Sequence, residues 1–168
     1  MIDTFQDIKA LFDKHSITKH IEDLGLKVIN GNKLERSKAS NLSKTESQLK
    51  RNLAIDYGEF CLHLPDVDMI IYEPKIAKVL AVISSINIRE KILQLAYWKF
   101  KLMSDKVTEH IKMYAITTDN CHTFMTQKNR LILETDLDGS YVLTTVDIVE
   151  SDKVKLFEHF IDDLKKLL

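Results

Sequence analysis

The chain has 168 residues, of which 45% are hydrophobic and 29% charged, with only four glycines and two prolines. That composition excludes general disorder and suits one densely structured domain. A formal net charge of −1 gives no global basic field of the kind that marks many nucleic-acid binders, and no apolar run approaches the roughly eighteen residues of a membrane span.

The start, MIDTFQDIKALF, is amphipathic with early acids, unlike a signal or transit peptide, so a cytoplasmic address is expected. Phe5, Ile8, Leu11 and Phe12 make one stripe and predict a first short helix. Ser16 is placed to cap a second, which carries Ile17, Ile21 and Leu24 and stops at Gly25. Leu26 to Ile29 reads as a small strand before Asn30-Gly31 turns the chain, and the polar stretch Asn32 to Leu42 is expected as a mobile loop. Ser43-Lys44-Thr45-Glu46 has capping-box spacing and starts a helix through about Asp56, with Leu49, Leu53 and Ala54 inward.

Charge is uneven along the chain. Lys33, Arg36, Lys38, Lys44, Lys50 and Arg51 face only Glu35 and Glu46 between residues 31 and 51, whereas Ile132 to Leu168 holds nine acidic residues against four lysines. A DNA-facing first half and a solvated back would fit this, and so would two ordinary solvated faces. Cys61 and Cys121 are far apart and read as reduced thiols. Their neighbours His63 and His122 give Cys-x-His and Cys-His spacings that match no usual zinc knuckle.

The centre is the most informative stretch. Asp66 to Tyr72 predicts a strand with Asp66 and Asp68 on one face and Val67, Met69 and Ile71 on the other. Lys78 to Ser85 is almost wholly apolar, as a strand buried on both faces should be. With Glu73, Pro74, Lys75 and Ile76 as the connection, a hairpin sets Asp66 opposite about Ser84 and Asp68 opposite about Val82. Two carboxylates then reach a strand end beside the next helix, where hard oxygen ligands can hold a divalent cation for phosphodiester hydrolysis. Spacing alone also allows a loop cap at Asp66 and a solvent-facing edge at Asp68.

Asn87 is placed to cap that helix, with Glu90 at its third position. Such an N-terminus favours phosphate, Arg89 can bind guanine in bidentate fashion, and Lys91 can do so less rigidly. Ile92, Leu95, Ala96 and Met103 form the expected buried stripe. Tyr97, Trp98 and Phe100 widen it toward a second layer or a dimer, and Lys99 and Lys101 suit either phosphate contact or solubility. His110 to Thr117 reads as a strand with Thr118-Asp119-Asn120 as its exit. Arg130 to Thr135 and Tyr141 to Val146 then flank the turn dipeptide Asp138-Gly139 as a second hairpin. Ser151 or Asp152 caps a last helix lined by Phe157, Phe160, Ile161, Leu164 and Leu168. The expected fold class is α/β, a mixed sheet of about five strands flanked by helices on both faces. It forms a single domain: residues 1–42 as a helical and loop part, 43–126 as the core, and 127–168 as hairpin and last helix.

The order Pro-Asp-x-Asp, an apolar hairpin ending Ile-Ser-Ser, then Asn-Ile-Arg-Glu-Lys-Ile-x-Gln-x-Ala-Tyr-Trp-Lys-x-Lys-Leu resembles the centre of BsaWI-like type II restriction endonucleases, in the PD-(D/E)xK nuclease superfamily. The likeness is close over about a quarter of the chain and looser from Glu46 to Asn120. It implies a restriction-endonuclease-like fold and magnesium as cofactor. It also implies double-stranded DNA as substrate, a homodimer, no membrane, and functional pairing with a DNA methyltransferase. Residue by residue, it implies Asp66 and Asp68 as metal carboxylates, with Ser84 and Ser85 as the first two residues of a Ser-x-Lys catalytic element. Arg89-Glu90-Lys91 matches an Arg-(Asp/Glu)-Arg base-reading box with lysine in place of its second arginine, and Glu46 or Glu59 is implied as a further metal ligand. The lysine itself is missing: Ile86 follows Ser85, and inserting one lysine between them would restore the spacing to Arg89. The expectation is therefore a nuclease scaffold with little or no cleavage. A dead or shortened DNA-binding relative and an unrelated α/β interaction module remain as alternatives.

Overall fold

The computed structural model describes residues 4–86, 89–117, 126–143 and 147–168, with side chains for all of these but 4–7 and 89–90. Its frame is a six-stranded sheet in the order β1-β4-β5-β6-β7-β8. The strands are β1 (Lys27–Asn30), β4 (Met69–Glu73), β5 (Lys78–Ser85), β6 (Lys112–Thr117), β7 (Gly139–Val142) and β8 (Val154–Leu156). A two-stranded ribbon of β2 (Ile55–Asp56) and β3 (Leu62–His63) stands apart from it. β1, β4 and β5 pair antiparallel, whereas β5, β6, β7 and β8 run parallel. β5 is thus the seam between two kinds of ladder, and its apolar run Val79–Ile83 is buried throughout, as a strand covered on both faces requires.

Two layers of helices cover the sheet. α3 (Gly31–Arg36), α4 (Lys44–Leu53), α5 (Arg89–Met103) and α6 (Gln127–Thr135) send Leu34, Leu49, Leu53, Ile92, Leu95, Leu102 and Leu133 onto Ile70, Val82, Met113, Ala115 and Val142. α1 (Thr4–Lys14), α2 (Ile17–Asp23) and α7 (Phe160–Lys165) send Ile8, Phe12, Ile17, Ile21, Phe160 and Leu164 onto Met69, Ile71, Ile83, Tyr114 and Tyr141. Trp98, half-buried on α5, has an indole Nε1 with no hydrogen-bond partner among the described residues. No described helix is long and apolar enough to cross a membrane.

The structure bears out a mixed sheet flanked on both faces by helices, and corrects several local expectations. The sheet has six described strands rather than about five, because Val154–Leu156 adds a parallel edge strand. Arg130 to Thr135 is not a strand but the end of α6, and Asp138-Gly139 does not turn a hairpin. β6 and β7 are parallel, with Ala115 opposite Ser140, and parallel neighbours need a crossover, here helical. Asn129 and Leu133 face inward four residues apart, and Arg130 Nε meets Glu134 Oε1 at 2.7 Å across one turn of α6. Gly139 opens β7 where a Cβ would crowd the Tyr114 ring at 3.1 Å. Of the expected strand Tyr141 to Val146, residues 144–146 lie outside the described residues, as do Thr118-Asp119-Asn120, Cys121 and His122.

Asn32 to Leu42 is built rather than loose: Asn30 caps α3 by accepting from the Lys33 N–H, Leu34 is buried, and Lys50 donates to the carbonyls of Glu35 and Ser37. The α4 helix ends at Leu53, short of Asp56. Ser151 caps a turn, its hydroxyl accepting from the Lys153 and Val154 N–H groups, while α7 begins only at Phe160 and Leu168 is exposed. On α5, Leu102 rather than Met103 continues the buried stripe, leaving Leu93, Tyr97, Phe100 and Met103 exposed along the outer side.

Candidate active site

The β4–β5 hairpin forms, but its register is displaced by two residues from the expected one. The connection falls one residue later, at 74–77, with Glu73 paired to Lys78 and Ala77 in the left-handed region at φ 52, and a bulge between Ile71 and Tyr72 shifts the register further. Met69 pairs with Ile83, so the ladder carried on by one residue sets Asp68, not Asp66, opposite Ser84. A shift of two leaves Met69 and Ile71 together on one face as expected, but Val67 does not join them: it packs in the opposite cluster, with Leu34 and Ile70.

Asp68 is 2% exposed and held from both sides. Its N–H donates to the Ile83 carbonyl at 3.0 Å, and its own carbonyl accepts from the Gly31 N–H at 3.0 Å. Glycine is needed there, since a Cβ at residue 31 would run into the Val67 carbonyl. The Ser85 N–H faces β4 just beyond that strand's first residue, and the Asp68 Oδ2 accepts it at 2.8 Å. Lys91 Nζ, from the first turns of α5, stands 3.4 Å from the same oxygen. Ser84 is fully buried, and its hydroxyl has no hydrogen-bond partner among the described residues.

Asp66 lies outside β4 and is half-buried, its Oδ2 accepting from Gln94 Nε2 at 3.2 Å. Lys91 and Gln94 are one turn apart on α5, so neighbouring side chains of that helix address the two carboxylates. Ile92 and Leu95, both fully buried, pin this turn onto the sheet. Gln94 stood in the motif that carries the resemblance but was given no role, although its spacing from Lys91 put both on one face of the predicted helix.

The remaining named residues separate. Ser85 contributes its backbone N–H, and alternation along β5 points its side chain away from Ser84. Ile86, at the expected lysine position, is buried in the core beside Ile92. Its N–H donates to the Ile116 carbonyl at 2.9 Å and its carbonyl accepts from the Thr117 hydroxyl at 2.7 Å. Arg89 and Glu90 begin α5, but their side chains, and Asn87 altogether, lie outside the described residues.

Lys99 is a correction. Far from facing a phosphate, its side chain is 7% exposed, with Nζ 2.7 Å from Asp138 Oδ2 and donating to the Ile111 carbonyl at 3.1 Å. A helix in a parallel crossover has an inward face along its whole length, and Lys99 falls on it, one turn beyond Leu95.

Glu46 closes both bonds of its capping box, accepting from the Ser43 N–H at 2.8 Å while its own N–H donates to the Ser43 hydroxyl at 3.1 Å. The backbone bond, then the hydroxyl, hold its pKa below the ordinary glutamate value. Among the described residues no three acidic, histidine or cysteine side chains group closely enough to hold a metal ion, so Glu46 does not join Asp66 and Asp68. Glu59 sits exposed in a short 3-10 turn, and Cys61 Sγ lies 3.5 Å from His63 Nε2 at the surface.

The model of the family described as BsaWI restriction endonuclease type 2 matches residues 45–163. MjaVIP of Methanocaldococcus jannaschii is 38% identical over 158 residues, covering 88% of this chain and 68% of that protein. HpyAORF263P of Helicobacter pylori is 36% identical over 84 residues, covering 49% of this chain and 43% of that protein. The names of both assign them to the type II restriction enzymes. The crystal structure of the pre-specific restriction endonuclease BsaWI-DNA complex superposes with a TM-score of 0.51 at 14% identity, over 96% of this chain and 64% of that one. At that identity the likeness is one of fold. The chain thus spans about two thirds of MjaVIP and of the BsaWI chain, and less than half of HpyAORF263P.

Proposed function

The chain belongs to the BsaWI family of type 2 restriction endonucleases, and from that premise we propose that it is the core of a magnesium-dependent nuclease cutting both strands of duplex DNA at a short palindromic site. The observation that carries the reading is Asp68: a carboxylate 2% exposed, fixed by backbone bonds to two neighbours, beside the orphaned Ser84 hydroxyl and under the first turns of α5. A buried acid held this rigidly has no packing advantage over an apolar residue, and its cost is explained by a ligand that requires it.

The donors suit a hard divalent cation, since Asp68, Asp66 and Ser84 offer oxygen only. Magnesium is commonly bound through one or two carboxylates and completes its shell with water and phosphate oxygens, so the lack of a third grouped acid among the described residues is no obstacle. When bound, the ion would polarise the scissile phosphate and lower the pKa of a water. Asp68 and Asp66 would hold it, and the Ser85 N–H keeps the Asp68 carboxylate oriented. The overall reaction adds water oxygen to phosphorus and breaks one ester P–O bond. The bonding pair leaves on the sugar oxygen, which takes up a proton, and the water's proton passes to solvent.

Cutting two strands calls for two sites, and a second copy of the chain supplies the other. Leu93, Tyr97, Phe100 and Met103, exposed together on the outer side of α5, give such a dimer an apolar face beside the site. Arg89, Glu90 and Lys91 at the start of α5 are the proposed groove-reading positions, and a DNA methyltransferase with the same target is the functional partner. The test is a mixed-sequence plasmid incubated with the protein and magnesium, beside an Asp68→Ala control. Discrete linear fragments that need both magnesium and Asp68 support the reading, and neither binding nor cutting of duplex DNA sinks it. Phe100→Asp should turn a dimer into a monomer on sedimentation, and an unchanged wild-type monomer would remove the dimer alone.

A further inference from the structure

Strand β5 offers no cation to its own acidic end. Ile86 fills the place after Ser85, its side chain in the core and its backbone bonded to β6. A phosphodiester site with two carboxylates and no positive side chain is electrostatically incomplete, because negative charge builds on the attacking oxygen and on the phosphate together. A second departure lies five residues on, where the family likeness implies an arginine for base reading and this chain has Lys91. An arginine's planar fork suits a guanine edge, whereas a lysine's ammonium is a compact point charge on a flexible stem.

The structure joins the two departures. Lys91 Nζ is 3.4 Å from Asp68 Oδ2, its side chain 17% exposed and therefore neither locked into the core nor free in solvent. We propose that Lys91 is the catalytic ammonium of this site: the charge lost from β5 is supplied across the gap by α5, at the expense of one base contact. This rests on the nuclease reading above and revises two expectations attached to it: the chain as it stands then cuts DNA, and groove reading is left to Arg89 and Glu90. Lys91 acts by charge alone, and the step transfers no proton to or from it. The competing structural role is neutralisation of a buried aspartate, which would affect folding and leave turnover per bound complex unchanged.

The experiment compares wild type, Lys91→Met and Lys91→Gln, with Ile86→Lys alone and added to Lys91→Met. Each is read by single-turnover cleavage of plasmid DNA in magnesium, by duplex affinity with calcium in place of magnesium, and by Tm. Wild type is expected to cut. Lys91→Met and Lys91→Gln should lose at least about a hundredfold in the cleavage rate while keeping duplex affinity within about threefold. Ile86→Lys should restore most of that loss in the Lys91→Met background, and should that double variant not fold, a lysine inserted between Ser85 and Ile86 replaces it. Lys91→Gln retains a donor toward Asp68, so its Tm should match wild type even as cleavage falls. Wild-type cleavage rates in Lys91→Gln overturn the proposal, as does a loss confined to affinity or site preference, or a loss that neither added lysine repairs. If wild type binds without cutting and Ile86→Lys or the inserted lysine alone makes it cut, Lys91 is excluded while the nuclease reading stands. If no variant binds or cuts DNA, both fall.

Discussion

Helix α5 carries two lysine–aspartate pairs about two turns apart, and they are built for different ends. Lys99 and Asp138 meet at 2.7 Å, and each is otherwise engaged: Lys99 with the Ile111 carbonyl, Asp138 with the Met113 N–H at 2.8 Å and with Lys112 at 3.5 Å. That pair ties the helix, β6 and the entry to β7 together, and its partners are saturated from within the protein. Lys91 and Asp68 meet at 3.4 Å at the rim of the sheet, next to a hydroxyl without a described partner. The first pair closes a structure, whereas the second leaves a charged side chain able to turn toward a new partner. Position on one helix therefore does not decide a lysine's task; the completeness of its surroundings does.

The contrast can be broken by measurement, beginning with the largest effect. Asp68→Asn should lower cleavage by about a thousandfold or more, about 4 kcal/mol of barrier, while preserving the sheet because the amide oxygen still accepts the Ser85 N–H. A variant that keeps its rate would remove Asp68 from the chemistry. Next, Lys99→Met should cost about 3–5 kcal/mol of stability in urea unfolding, the usual penalty for stripping one partner from a buried pair. Lys91→Met should cost no more than about 2 kcal/mol, since Asp68 retains the Ser85 N–H. Equal costs for the two lysines would erase the distinction drawn between them.

The smallest effect concerns Glu46, an acid whose engagement is local. Its folded pKa is depressed, chiefly by the Ser43 N–H. The stabilisation is therefore present above the unfolded value near 4.5 and is lost as pH falls through the lower folded value. Glu46→Gln should cost about 0.3 kcal/mol at neutral pH after solvent screening, and nothing once the pH is below the folded pKa. A cleavage loss in Glu46→Gln at neutral pH would instead bring it into the proposed metal site.

Much of the central architecture could be read from residues alone. The apolar run of β5, the capping box of α4 and the Asp66–Asp68 spacing all signal through local chemistry. The hairpin register could not be read as easily: Ala77 adopts a left-handed conformation without being glycine, and the bulge at Ile71/Tyr72 leaves no mark in the pattern. Helix α6 was hidden for a different reason. Leu131, Ile132 and Leu133 look like a strand, and Asp138-Gly139 looks like a turn, until the parallel pairing of β6 and β7 demands a crossover. For the candidate site, Asp68 and Ser84 could be singled out from the residues alone, but the approach of Lys91 and Gln94 depends on how α5 is laid against the sheet. The burial of Lys99 depends on the same packing, and a lysine's ordinary habit argues against it.

The chain contains a single tryptophan, and it is Trp98, between the two lysines on α5. Its emission is therefore a signal from that one helix, free of any background indole. Its half-buried ring packs 5.1 Å from Tyr97, which makes its wavelength responsive to any lifting or tightening there. Titrating the unlabelled protein with oligonucleotides would report whether docking shifts the very segment that bears the ammonium, with no dye or probe to disturb it.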